Sequence, residues 1–198
     1  MKSMLIKFFS VFFCMFSLSL CAQGTLTDSA TGESFPKDIS ISYNGKQYDL
    51  TATGVATRKK LFIKVYSIAS YLQKGAAQTK SDTLKAILND NNAKQVTMKW
   101  QREVGVDKIQ ETYRESLQKS LPNAQGQLKN DVGQFLSFFN QPVRKGDTTI
   151  IKWLPGGYIE VDFNGTKVGS VVNKDLAAGI WNVWFGEKSP VNRDNLLQ

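Results

Sequence analysis

Two Asn-Gly dipeptides, Asn44-Gly45 and Asn164-Gly165, each stand between stretches in which polar and apolar residues alternate. Asn-Gly is the strongest short hairpin signal, because both residues tolerate the positive φ angles of a tight turn between antiparallel strands. Residues 39–43 alternate before the first turn. Residues 47–57 read as the return strand, with Tyr48, Leu50, Ala52 and, as the open case, Val55 on one face. Around the second turn, 158–163 and 167–172 form the same pattern, and Pro155-Gly156-Gly157 joins 148–153 to 158–163. Residues 61–72 are rich in β-branched and aromatic side chains and predict a long strand, broken at Gly75. Residues 94–100 alternate with Val96, Met98 and Trp100 on one face. Residues 23–36 are rich in Thr, Ser and Gly and read as a leader strand or loop.

Four segments carry helical spacing instead. Ser81 or Asp82 caps a short helix to about Leu88. Asp107 begins a helix, with Gln110 as its capping-box partner and Pro122 beyond its end. Asn130 or Asp131 starts a third, carrying Val132, Phe135, Leu136 and Phe139. Asn173 caps a fourth from Lys174 to Phe185, stopped by Gly186. Strands grouped in hairpins and separated by helices predict an α+β fold, an antiparallel sheet with helices packed on one face.

The chain begins with a basic segment carrying Lys2 and Lys7, followed by an apolar run over residues 8–20 that is too short to span a bilayer as a helix. This reads as a signal peptide cleaved after Ala22, leaving one domain over 23–198 in the periplasm or secreted. Lipidation at Cys21 is the alternative, though Leu20 fits the required small residue poorly. Cys14 and Cys21 are the chain's two cysteines, and it has no histidine. The processed chain therefore excludes disulfides, thiol catalysis, Ser-His-Asp triads and His- or Cys-ligated metals, and no cofactor is expected. The net charge is +8, or +6 without Lys2 and Lys7. Such a surplus suits anionic surfaces or ligands. The basic residues are scattered, with no run longer than Arg58-Lys59-Lys60, so nucleic acid is not an expected partner.

Thr53-Gly54-Val55-Ala56-Thr57-Arg58, followed by the stretch from Phe62 to Leu72, resembles the signature strands of chalcone isomerase-like proteins. Trp153-Leu154-Pro155-Gly156-Gly157, Phe163-Asn164-Gly165, Asp175-Leu176-Ala177-Ala178 and Trp184-Phe185-Gly186 continue the likeness in order, closest to the bacterial exported branch. The resemblance implies an open-faced sandwich with a pocket between sheet and helices. In the plant-type isomerases an arginine, a threonine, a tyrosine, an asparagine and a late hydroxyl residue serve ring closure. By this resemblance the arginine falls on Arg58, the threonine on Tyr66, the helix tyrosine and asparagine on Ile109 and Ser116, and the late position near Val183. Most of the polar catalytic set is thus replaced. Arg58 with Tyr66 resembles instead the fatty-acid-binding branch, where such a pair holds a ligand carboxylate.

The chemistry stands without the analogy. A guanidinium fork matches a carboxylate bidentately, and a tyrosine hydroxyl adds a neutral donor backed by an apolar ring. The expected partner is a small amphipathic ligand, a fatty acid or similar carboxylate. The alternative is an intramolecular lyase or isomerase acting on a chalcone-like phenol. Trp181 and Trp184 lie three apart, ordinary core spacing, as do Phe135 and Phe139. Glu103 and Asp107 bracket a helix start, where carboxylates complement the dipole. Gly156-Gly157 belongs to a turn and not to a phosphate loop, since no Lys-Ser or Lys-Thr follows.

Overall fold

The computed structural model describes residues 24–77 and 79–197. The expected signal peptide, its expected cleavage position after Ala22 and both cysteines lie outside them.

Two short strands, β1 (Thr25–Thr27) and β2 (Ser34–Pro36), form a ribbon of their own. The main sheet follows: β3 (Asp38–Tyr43), β4 (Lys46–Lys60), β5 (Ile63–Gln73), β6 (Lys94–Trp100), β7 (Thr148–Leu154), β8 (Tyr158–Phe163) and β9 (Thr166–Val172). Among the described residues these seven strands lie side by side in chain order, every neighbouring pair antiparallel. Among the described residues, helix α1 (Lys80–Leu88) lies between β5 and β6, α2 (Val106–Ser120) and α3 (Gly126–Ser137) lie between β6 and β7, and α4 (Lys174–Phe185) follows β9. A 3-10 turn over Arg193–Leu196 follows α4. The α+β expectation holds. Asn44 and Asn164 both take positive φ at their hairpin turns, the conformation for which Asn-Gly was read.

Alternation along the strands sorts side chains onto two faces. On one, Ile68, Val96, Met98, Trp100, Ile151 and Val161 pack against the apolar stripes of all four helices, with Trp153, Trp181 and Trp184 buried among them. On the other, Tyr48, Leu50, Ala69 and Tyr71 surround Phe35 of the β1–β2 ribbon. Ala52 and Val55 join this second group despite their uneven spacing. A register shift between Ala52 and Gly54 explains it, because one extra residue in β4 restores the face.

Local departures from the sequence reading have physical causes. Thr79, not Ser81 or Asp82, caps α1; its hydroxyl accepts from the Asp82 backbone N–H at 3.3 Å. The capping box at Asp107 does not form. Gly105 precedes α2 with no side-chain cap, and the Gln110 amide donates to the Phe139 carbonyl at 2.9 Å instead. Helix α3 starts at Gly126, four residues before Asn130. Asp131 is buried within it and accepts from Gln127 and from Asn173 Nδ2, both at 2.7 Å. The β4–β5 turn falls at Leu61-Phe62, the first two residues of the segment 61–72 that reads as a strand, and β4 runs on to Lys60, past the expected end at Thr57.

The 3-10 turn crosses β4 at the bulge. Thr53 Oγ1 donates to the Leu196 carbonyl at 2.7 Å, and Gly54 lies so close to this turn that a Cβ there would stand 2.1 Å from the Asn195 carbonyl oxygen. The Thr53-Gly54 step is thus a docking seat for the far end of the chain.

Candidate functional site

Arg58 near the end of β4 and Tyr66 in β5 are direct partners across the hairpin, so both side chains stand on one face of the sheet. Tyr66 is in turn opposite Trp100 of β6, and the two rings meet edge to face at 5.2 Å. Helix α2 brings Ile109 and Tyr113 over this corner, and α4 brings Val183 and Trp184. Between them lies a cavity of about 530 Å³ whose lining includes all seven of these residues, with Leu61 and Ile63 at the hairpin end. That volume lies in the range of small-molecule sites, roughly 300–1,000 Å³. A polar groove of about 600 Å³ between Asp28, Thr57 and Asn195 is larger, but it holds no aromatic wall.

The polar atoms of the cavity are arranged around Tyr66. Trp184 Nε1–H donates to the Tyr66 hydroxyl at 3.0 Å, which leaves the hydroxyl's own proton to be donated onward. The Arg58 guanidinium carbon is 5.9 Å from the Tyr66 ring centre and itself half-buried. Burial pushes the Tyr66 hydroxyl's pKa up, with the Arg58 charge and the Trp184 bond pulling the other way. Tyr113 is raised well above its usual value, again by burial first. Among the described residues its hydroxyl reaches the Met98 sulfur, at 3.9 Å, while its ring stacks on Phe139 at 4.7 Å. Both phenols stay protonated at any physiological pH. The cavity is therefore an apolar chamber whose half-buried Arg58 stands beside neutral hydroxyl donors, with Lys60, Arg102, Glu103 and Lys108 exposed at its rim, chemistry that suits an anionic head attached to an apolar body.

A model of the family described as chalcone isomerase-like matches residues 29–196. The chain belongs to the chalcone isomerase-like family. The structure of a fatty-acid binding protein of Arabidopsis thaliana superposes with a TM-score of 0.70, at 21% identity, over 88% of this chain and 96% of that one. At that identity the likeness speaks for the fold. No curated protein matches the chain.

The positions matched to the family's isomerases divide. Arg58, Tyr66, Ile109 and Val183 line the cavity, and two of these four are aliphatic. Ser116 does not line it; its hydroxyl donates to the Thr112 carbonyl at 2.9 Å, one turn back along α2. Sequence reasoning did not single out Tyr113, which sits four residues beyond Ile109 on the same helix face. The two tryptophans of α4 also part. Trp181 packs edge to face on Trp153 at 5.4 Å in the core, whereas Trp184 turns its indole N–H to Tyr66. Helical spacing alone cannot separate a core face from a cavity wall. The useful signal was the matched β4–β5 pair itself, since whatever covers Arg58 and Tyr66 must come from the helices above.

Proposed function

We propose that this chain is an exported, non-catalytic member of the chalcone isomerase-like family that holds a fatty acid or similar small amphipathic carboxylate, its head on Arg58 and Tyr66 and its tail in the cavity beneath α2 and α4. One observation carries the reading: a guanidinium and a protonated tyrosine converge at one apolar chamber. The fatty-acid binding activity named for the Arabidopsis protein of this fold supports the same ligand class. No described helix is long and apolar enough to cross a membrane. The energetics are sufficient. A charge-assisted hydrogen bond contributes about 1.5–3 kcal/mol, and each buried methylene about 0.8 kcal/mol. A clamped head with several methylenes therefore reaches micromolar binding after association costs.

Native mass spectrometry of the protein purified from its host's envelope reads two parts of the proposal together. The expected result is a chain beginning at Gln23 that carries a carboxylic-acid adduct. In fluorescence displacement with dodecanoate, Arg58→Gln is expected to weaken binding by about 10- to 100-fold. Tyr66→Phe removes one neutral donor and is expected to cost about five-fold. Equal affinity in Arg58→Gln and the parent would remove the clamp. Turnover of chalcone, seen as a change in its absorbance, would favour the isomerase reading instead.

A further inference from the structure

We propose that the tip of the β4–β5 hairpin is a membrane-docking element, which enters an anionic lipid surface and opens the Arg58–Tyr66 cavity onto the leaflet. Leu61, Phe62 and Ile63 are 85%, 97% and 50% exposed. They are consecutive and stand at the end of the longest hairpin of the sheet, whereas the other large exposed apolar residues described, Leu88 and Val172, are isolated. A run of this kind on a water-facing turn marks a contact surface.

The backbone at the tip strengthens the case. Leu61 takes φ of +55°, and the other described non-glycine residues with positive φ are the two asparagines of the Asn-Gly turns. Asparagine or glycine at 61 would relieve the left-handed strain and expose less apolar surface. The chain keeps a leucine where both effects oppose it, as expected of a residue held for contact.

Charge identifies the surface it meets. Lys59 and Lys60 precede the tip and Lys64 follows it. No carboxylate pairs with Lys59 or Lys60 among the described ion pairs, and the Lys64 ammonium donates to the Ala30 carbonyl. Arg102 adds an exposed cation on the cavity rim, where Glu103 is the acidic residue. An apolar wedge flanked by lysines suits acyl chains beneath anionic head groups. A second copy docking tip to tip would set these lysines against one another. Because Leu61 and Ile63 also line the cavity, an amphipathic acid could pass from leaflet to chamber without crossing water. That loading route rests on the proposed carboxylate binding; the docking itself does not.

The test uses the full chain with vesicles of phosphatidylglycerol and phosphatidylcholine, or of phosphatidylcholine alone, carrying brominated acyl chains. Trp100, Trp153, Trp181 and Trp184 are all buried, so the parent's indoles are shielded and Phe62→Trp reports the tip. On anionic vesicles the Phe62→Trp emission is expected to shift to the blue and to be quenched well beyond any change in the parent, whose Trp100 and Trp184 lie deeper, in the cavity wall. Replacing Lys59 or Lys60 with glutamine is expected to weaken vesicle binding about five-fold each, and Phe62→Ser to reduce it further. An unquenched indole, or quenching that is equal on neutral vesicles, would overturn the proposal. So would vesicle binding unchanged by all these variants, or a dimer in sedimentation that Phe62→Ser dissolves. A protein that displaces dodecanoate probes but shows no quenching keeps the binding function and loses the docking. One that is quenched but binds no dodecanoate does the reverse.

Discussion

Gly54→Ala is expected to lower the stability of the protein by about 3 kcal/mol, read as a fall in Tm of about 10 °C. Backbone conformation contributes, since φ at Gly54 is +157°, a value that residues with a side chain rarely adopt. The larger part comes from space. The added methyl would lie 2.1 Å from the Asn195 carbonyl oxygen and 2.9 Å from the Leu196 carbonyl carbon. These are backbone atoms, which cannot rotate away as a side-chain end can. Either β4 gives up its bulge or the 3-10 turn lifts. Lifting the turn exposes Leu196, which is fully buried, and leaves the Thr53 hydroxyl without the Leu196 carbonyl. A chain ending before Arg193 loses the same contacts and is itself destabilised. In that shortened chain the alanine has nothing left to strike, so the two changes together should cost clearly less than their sum. Additive losses in thermal or denaturant unfolding would show that Gly54 acts by some route other than the turn.

Raising the pH from 7 to 9 is expected to stabilise the protein by about 2 kcal/mol through Lys94, an effect that Lys94→Met abolishes. Lys94 opens β6, is 0% exposed, and its side chain lies on the helix-covered face. Burial brings its pKa down to about 7, with Asp90 pulling the other way. Its ammonium donates to the Asn89 carbonyl and lies 3.5 Å from the centre of the Trp153 ring, contacts that partly offset the loss of water. The sign follows from the proton balance. Between pH 7 and the usual 10.5 the unfolded chain keeps a proton that the folded chain has released, so unfolding becomes less favourable as pH rises. Below about pH 6 both states are charged and this group contributes no slope. Lys108, Lys152 and Lys167, whose pKa values are raised, and the buried phenols Tyr66 and Tyr113 act only at higher pH, which leaves the window clean. Urea unfolding at the two pH values measures it. A flat parent, or a Lys94→Met variant that rises as steeply, would show that the ammonium finds enough compensation to stay charged.

The strands and helices were readable because their signals are local. The Asn-Gly turns, the period-two stretches and the apolar stripes each lie within about fifteen residues. What escaped depended on distant partners. The register shift near Thr53 serves a turn that arrives at Asn195, and nothing around residue 53 announces it. Helix α3 begins without a side-chain cap, so Asp131 read as a start when it is a buried link to Asn173. The Leu61-Phe62 turn carries no turn chemistry and read as strand. At the site, family resemblance supplied Arg58 and Tyr66, and the pairing of β4 with β5 brought them together. Tyr113 and Trp184 stayed hidden because their spacing is that of any buried helix face, and only the packing of α2 against α4 turns them toward the cavity.

The hydrogen bond from Thr53 to Leu196 joins residues 143 positions apart. Such distant closure is slow to form, and here it has an order in time. During synthesis β4 is made early, yet its seat stays vacant until Leu196, 143 positions later, has been added. A nascent chain carries that open strand throughout, exposed to misassembly. A chain interrupted before Asn195 lacks this fastener and is expected to open, and so to be cut by proteases, more readily.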